Sequence, residues 1–72
     1  MKAFAFEKKS KDIFSTAVLW LAEDGTWVID GAVSYLKEGM MVRIPQETFD
    51  SEEGARERLA SNGYEYKDDI SE

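Results

Sequence analysis

Three pairs of neighbouring carboxylates, Glu23/Asp24, Glu52/Glu53 and Asp68/Asp69, are the side chains with most capacity for chemistry in this 72-residue chain. Paired carboxylates do general acid–base work when burial raises the pKa of one of them. Neighbours on a strand point to opposite faces, and all three pairs lie in polar segments, so the expectation is solvated charge. Six serines are present but no histidine, so no imidazole base is at hand to activate a hydroxyl. Cysteine is absent too, which excludes thiol nucleophiles, disulfides and thiolate metal sites. Glu23-Asp24-Gly25 lacks the alternating oxygen ligands of a calcium loop. The five glycines, at 25, 31, 39, 54 and 63, are too scattered for a phosphate loop or a dinucleotide fingerprint. The chain reads as a non-enzyme with no catalytic residue, no metal and no cofactor.

Charge gives the next constraint. The net charge is −6 and unevenly spread. Residues 1–11 hold four lysines against Glu7, and residues 12–72 hold five basic and fourteen acidic side chains. Phe4 and Phe6 beside Lys2, Lys8 and Lys9 have the residue types for stacking bases next to phosphates. The acidic remainder opposes that use, because phosphate attraction dominates such binding. Direct nucleic-acid and membrane binding are therefore not expected. A basic surface on another protein is the partner that the charge favours.

The elements that position these residues can be read from hydropathy and turn chemistry. Lys2 to Glu7 alternates weakly and reads as a first strand. The apolar run Ala17 to Ala22 meets Glu23-Asp24-Gly25-Thr26, and Trp27-Val28-Ile29 follows. Asp-Gly between apolar runs predicts a two-residue type I′ hairpin, joining strands over about 14–22 and 26–30. In that register Ala22 faces Trp27, Leu21 faces Val28 and Leu19 faces Asp30. Val18, Trp20, Ala22, Trp27 and Ile29 then share one face, with Leu19, Leu21 and Val28 on the other. Gly31 to Gly39 fits either a strand continuing after a bulge at Gly31 or one helical turn capped by Asp30; we read it as strand or extended crossing. Met41 to Ile44 is a further strand, ended by Pro45.

One helix is expected after Phe49. Asp50 with Glu53, or Ser51, caps it, Glu52 pairs with Arg56, and Asn62-Gly63 stops it. Its apolar stripe is narrow, chiefly Ala55 and Leu59, so it lies on a sheet. Gly54 within the helix costs about 1 kcal/mol relative to Ala, which points to close approach by the sheet or by a partner. Tyr64 to Lys67 is a last strand, and 68–72 a frayed acidic tail. The result is an α+β fold in one small domain, 1–72: an antiparallel sheet of four to five strands with one short helix packed on one face. No stretch is long enough to span a membrane or to serve as a secretory signal. A cytoplasmic, complete small gene product is the expectation.

One short helix covers one sheet face, and this hairpin is apolar on both. Leu19, Leu21 and Val28 are thus the expected uncovered apolar interface. Glu52, Glu53 and Glu57 on the helix, with Asp68 and Asp69 in the tail, are the expected acidic contacts. Two functions follow. In the first, a small acidic protein-binding module occupies a basic nucleic-acid-binding surface of a larger protein and inhibits it. In length and charge the chain looks like phage-encoded inhibitors of bacterial defence such as anti-restriction or anti-CRISPR proteins. In the second, the sheet mediates a homodimer that serves structure or assembly without catalysis.

Overall fold

The computed structural model describes residues 1–72. Strands β1 (Ala3–Lys9), β2 (Ile13–Leu21), β3 (Trp27–Tyr35) and β4 (Met40–Phe49) form an antiparallel meander, helix α1 (Glu52–Ser61) follows, and β5 (Glu65–Asp69) closes the fold. The strand order is β4-β3-β2-β1-β5. Helix α1 carries the chain from one sheet edge to the other across a single face, so the fold is α+β as the sequence pattern predicts.

The first hairpin is displaced by one residue from the expected register. Leu21 pairs with Trp27, Trp20 with Val28 and Val18 with Asp30. The loop holds three residues, Glu23–Gly25. Gly25 N–H donates to the Ala22 carbonyl at 3.0 Å, and Ala22 N–H donates to the Thr26 carbonyl at 2.8 Å. Gly25 alone has positive φ, +88°. Asp24 stays at negative φ, its carboxylate accepting from the Thr26 N–H and hydroxyl at 3.0 and 2.7 Å. This is a β-turn followed by a left-handed glycine. One extra loop residue moves every side chain of one strand to the other face.

The shift, together with the helix packing on the Leu19 face, corrects the expected apolar interface. Leu19 is fully buried, and Leu21 packs against the core beneath the helix. Val28 lies on the opposite face, 5 % exposed between its cross-strand neighbours Trp20 and Thr48. The three residues neither share a face nor stand open. The two tryptophans part as well, Trp27 joining the core and Trp20 lying on the face away from the helix. The core gathers Phe6, Ala17, Leu19 and Trp27 of the sheet against Ala55 and Leu59 of α1.

Residues 31–35 continue β3, as the strand reading expects. Pro45 does not end β4. It lies within it, where Pro45 and Gln46 together stand opposite Asp30 in a bulge between the pairs Ile29–Glu47 and Gly31–Ile44. An edge strand tolerates proline at a bulge because no ladder donor is needed there. Gly31 has its own constraint: a Cβ would lie 2.8 Å from the Thr16 carbonyl oxygen. At Gly54 the nearest atom is Ser51 Oγ, 3.2 Å from a would-be Cβ, so no approach by the sheet accounts for that glycine.

Ser51 is the helix cap, its hydroxyl accepting from Gly54 N–H at 3.0 Å. At the other end Tyr64 N–H reaches the Leu59 carbonyl and Gly63 N–H the Ala60 carbonyl, with Gly63 at φ +85°. That double closure is the Schellman arrangement. The C-terminal residues are not frayed. Asp68 and Asp69 belong to β5, Ile70 N–H donates to the Ala3 carbonyl, and the Met1 ammonium donates to the Glu72 carbonyl at 2.8 Å. The open side of β1 supplies main-chain partners that hold this segment in place. No helix is long and apolar enough to cross a membrane.

Candidate partner-binding surface

The expected acidic residues do not form one surface. Glu53 and Glu57 are exposed on α1, whereas Glu52 is half-buried and engaged by Arg56 Nε at 2.8 Å. Asp68 and Asp69 pair with Ala5 and Phe4 of β1. As strand neighbours they point to opposite faces of the sheet. The Asp69 carboxylate accepts from Ser71 N–H at 2.9 Å, and this contact with Ser71 lowers its pKa below the ordinary carboxylate value. No three acidic side chains converge as metal ligands would.

The aromatic residues of β1 are also occupied. Phe6 is buried, and the Arg56 guanidinium lies over Phe4 at 4.7 Å and over Phe6 at 5.5 Å. Tyr66 meets the edge of Phe6 at 5.7 Å between ring centres. Arg56 therefore ties Glu52 of the helix to three rings of the sheet, and neither phenylalanine offers a free face to a base.

The open surface lies elsewhere, and simple lengths explain it. Ten helical residues extend about 15 Å, while the ten residues of β4 extend about 33 Å. Helix α1 starts at the Phe49 end of β4 and finishes beside β1, where Lys8 Nζ donates to the Asn62 carbonyl at 2.7 Å. The corner where β2, β3 and β4 run on past this diagonal is left bare on the helix side. Ile13, Val33, Val42 and Ile44 form its apolar floor, since paired residues across the ladder share a face. A groove of about 520 Å³ opens there, its floor including Ser15, Ala17 and Gly31. Ser15 is the one buried polar side chain of the molecule. Lys8, Arg58 and Glu47 stand at the rim, with Arg58 and Glu47 paired at 3.3 Å. An apolar floor with a thin charged rim is the build of a surface that excludes water against a partner.

The exposed apolar residues concentrate along the same edge. Met40, Met41 and Val42 are 53, 69 and 46 % exposed, and Leu36 in the preceding turn 59 %. Sequence reasoning missed this group. The signal was present in the apolar run Met40-Met41-Val42, but its exposure depends on the strand standing at the sheet edge and outrunning the helix. On the face away from the helix, Thr16, Val18, Trp20 and Ala32 line a shallower groove closed by Arg43 and the chain termini.

Asp30 belongs to that second face. It accepts both Arg43 Nη2 bonds at 3.1 Å and Gln46 Nε2 at 3.1 Å. Gln46 first, then Arg43, holds its carboxyl below the ordinary carboxylate value. The only charged group of residues 40–46 is thereby paired at the edge of the sheet, with its side chain still largely exposed. No protein-family model matches the chain, and no curated protein or solved structure is significantly similar to it.

Proposed function

We propose that this chain is a small acidic protein-binding module that acts without catalysis and docks through the half-sheet beyond its helix. The observation that supports this reading is the apolar floor of Ile13, Val33, Val42 and Ile44, next to an edge strand that keeps Met40 and Met41 in water. Contiguous apolar area of this kind on a small protein marks an interaction site. The net charge of −6 favours a partner with a basic surface, because attraction of this sort speeds encounter and disfavours acidic competitors.

A second reading, an inhibitor that occupies a basic nucleic-acid-binding surface, is favoured by Glu53 and Glu57, both exposed on α1. The two readings separate by mutation and salt. The tagged chain is used to capture its partner from host lysate, alongside Val33→Lys and the double variant Glu53→Gln/Glu57→Gln. Apolar docking predicts that Val33→Lys abolishes capture and that the double variant retains it at physiological salt. Capture lost in the double variant, and lost by the wild type as salt rises, moves the contact to the helix acids.

A further inference from the structure

We propose that the open edge of β4 pairs with the same edge of a second copy, joining two sheets into one across a two-fold axis at Val42. The inference rests on reading the half-sheet beyond the helix as a binding face, and it names the first occupant of that face.

The main-chain pattern fixes which groups are free. Ala22 N–H bonds the Thr26 carbonyl, and Leu36 N–H bonds the Asp12 carbonyl. Along β3, then, the even-numbered residues turn their main-chain groups to β2 and the odd-numbered ones to β4. Gly31, Val33 and Tyr35 accordingly bond Ile44, Val42 and Met40. The N–H and carbonyl groups of Met41 and Arg43 are left facing the open edge. An antiparallel pairing centred on Val42 sets Met41 of one copy against Arg43 of the other, so the free groups satisfy each other reciprocally on both sides of the axis. Met40 then meets Ile44 and Val42 meets Val42, all on the helix side, and the two apolar floors become continuous.

The limits of the pairable segment suit self-association. Gly39, at φ +64°, ends it on one side. Pro45, which has no N–H, ends it on the other. The five residues between them carry one charge, Arg43, already held by Asp30. The opposite edge of the sheet is guarded: β5 is five residues long, bulged, and carries Glu65, Lys67, Asp68 and Asp69. Charges and bulges of that sort block edge pairing, and over 40–44 β4 has no bulge and the single charge of Arg43. Met40, Met41, Val42 and Leu36 are each about half exposed or more. With the main-chain edge they bring the area buried over both copies to the order of 1,000 Å², the lower bound for a specific contact. The dimer is accordingly weak. Because each copy carries −6, salt strengthens it by screening repulsion, the reverse of an acidic-to-basic contact.

The test is sedimentation equilibrium on the full chain from about 1 to 200 µM, a range that brackets micromolar dissociation constants, at low and at physiological salt. The weight-average mass should climb from the 8.2 kDa of one chain towards twice that, with a tighter constant at the higher salt. Met41→Pro removes an outward donor without touching the β3 ladder, and Val42→Lys sets two cations face to face on the axis. Each should weaken association at least tenfold while the near-ultraviolet dichroism of the folded chain is kept. Should one variant unfold, the other decides, and concentration-dependent protection of the Met41 and Arg43 amides in the wild type decides independently. A wild type of single-chain mass at every concentration overturns the proposal, as does a dimer that both folded variants leave intact. A monomeric wild type that still captures a partner through Val33 defeats self-pairing alone. A dimer whose Val33→Lys variant captures as well as the wild type defeats only the wider reading.

Discussion

Arg43 of β4 holds Asp30 of β3 by two 3.1 Å hydrogen bonds from one guanidinium nitrogen, across the bulge that Pro45 and Gln46 create. Gln46 adds a third bond at 3.1 Å from the same bulge. The lowered pKa of Asp30 makes this cluster sensitive to acid in a defined direction. The unfolded chain binds the proton first, so the cluster's contribution is complete above about pH 4, near the unperturbed value, and is lost as pH falls through the lowered folded value. Urea midpoints measured from pH 6 to pH 2 should therefore fall less steeply for Asp30→Asn than for the wild type. Equal slopes would show that the bulge does not depend on the carboxylate.

Leu19 is the most enclosed side chain of the sheet and touches the helix layer. Leu19→Ala should cost about 2–5 kcal/mol in urea unfolding, the range for a buried leucine. Leu21→Arg should also destabilise the fold, because Leu21 packs against the same core. Near-wild-type stability for either substitution would mean that the helix does not cover this face.

Gly31 runs past the Thr16 carbonyl so closely that an added Cβ would sit 2.8 Å from the oxygen. The obstacle is backbone, so Gly31→Ala should force β2 and β3 apart at the groove floor, at a cost of about 1–3 kcal/mol. Thermal unfolding reads this directly.

Ser51 accepts the Gly54 N–H at the helix start. Ser51→Ala should cost about 1 kcal/mol, and Ser51→Asp should restore most of it. Far-ultraviolet dichroism against urea distinguishes the two.

Much of this fold was readable from local chemistry. Asn62-Gly63 stops the helix as its residue types require, and Ser51 caps it as one of two candidates. Residues 31–35 are strand, as their β-branched and aromatic character favours. The errors came where two local solutions share one sequence. Asp-Gly serves both a two-residue turn with two positive φ values and a three-residue loop in which only the glycine is left-handed. In the second, Asp24 bonds Thr26, and that choice decides which residues of β3 share a face with Leu19. Pro45 forbids a central strand but not an edge strand with a bulge, and which strand becomes the edge is a property of the whole sheet. The acidic residues were identifiable one by one. Their division between the helix and the two faces of β5 follows from pairing with β1, which no short window of sequence contains.

Amide hydrogen exchange tests the central claim most directly, because it reports which main-chain groups become protected when the chain is bound. It would be run on the dilute chain and on the chain held in complex, whether with a second copy at high concentration or with a captured partner. Docking at the uncovered corner predicts slowed exchange at Met41 and Arg43 and unchanged exchange along Glu52–Ser61. Protection confined to the helix, with the β4 edge exchanging freely in every complex, would contradict it.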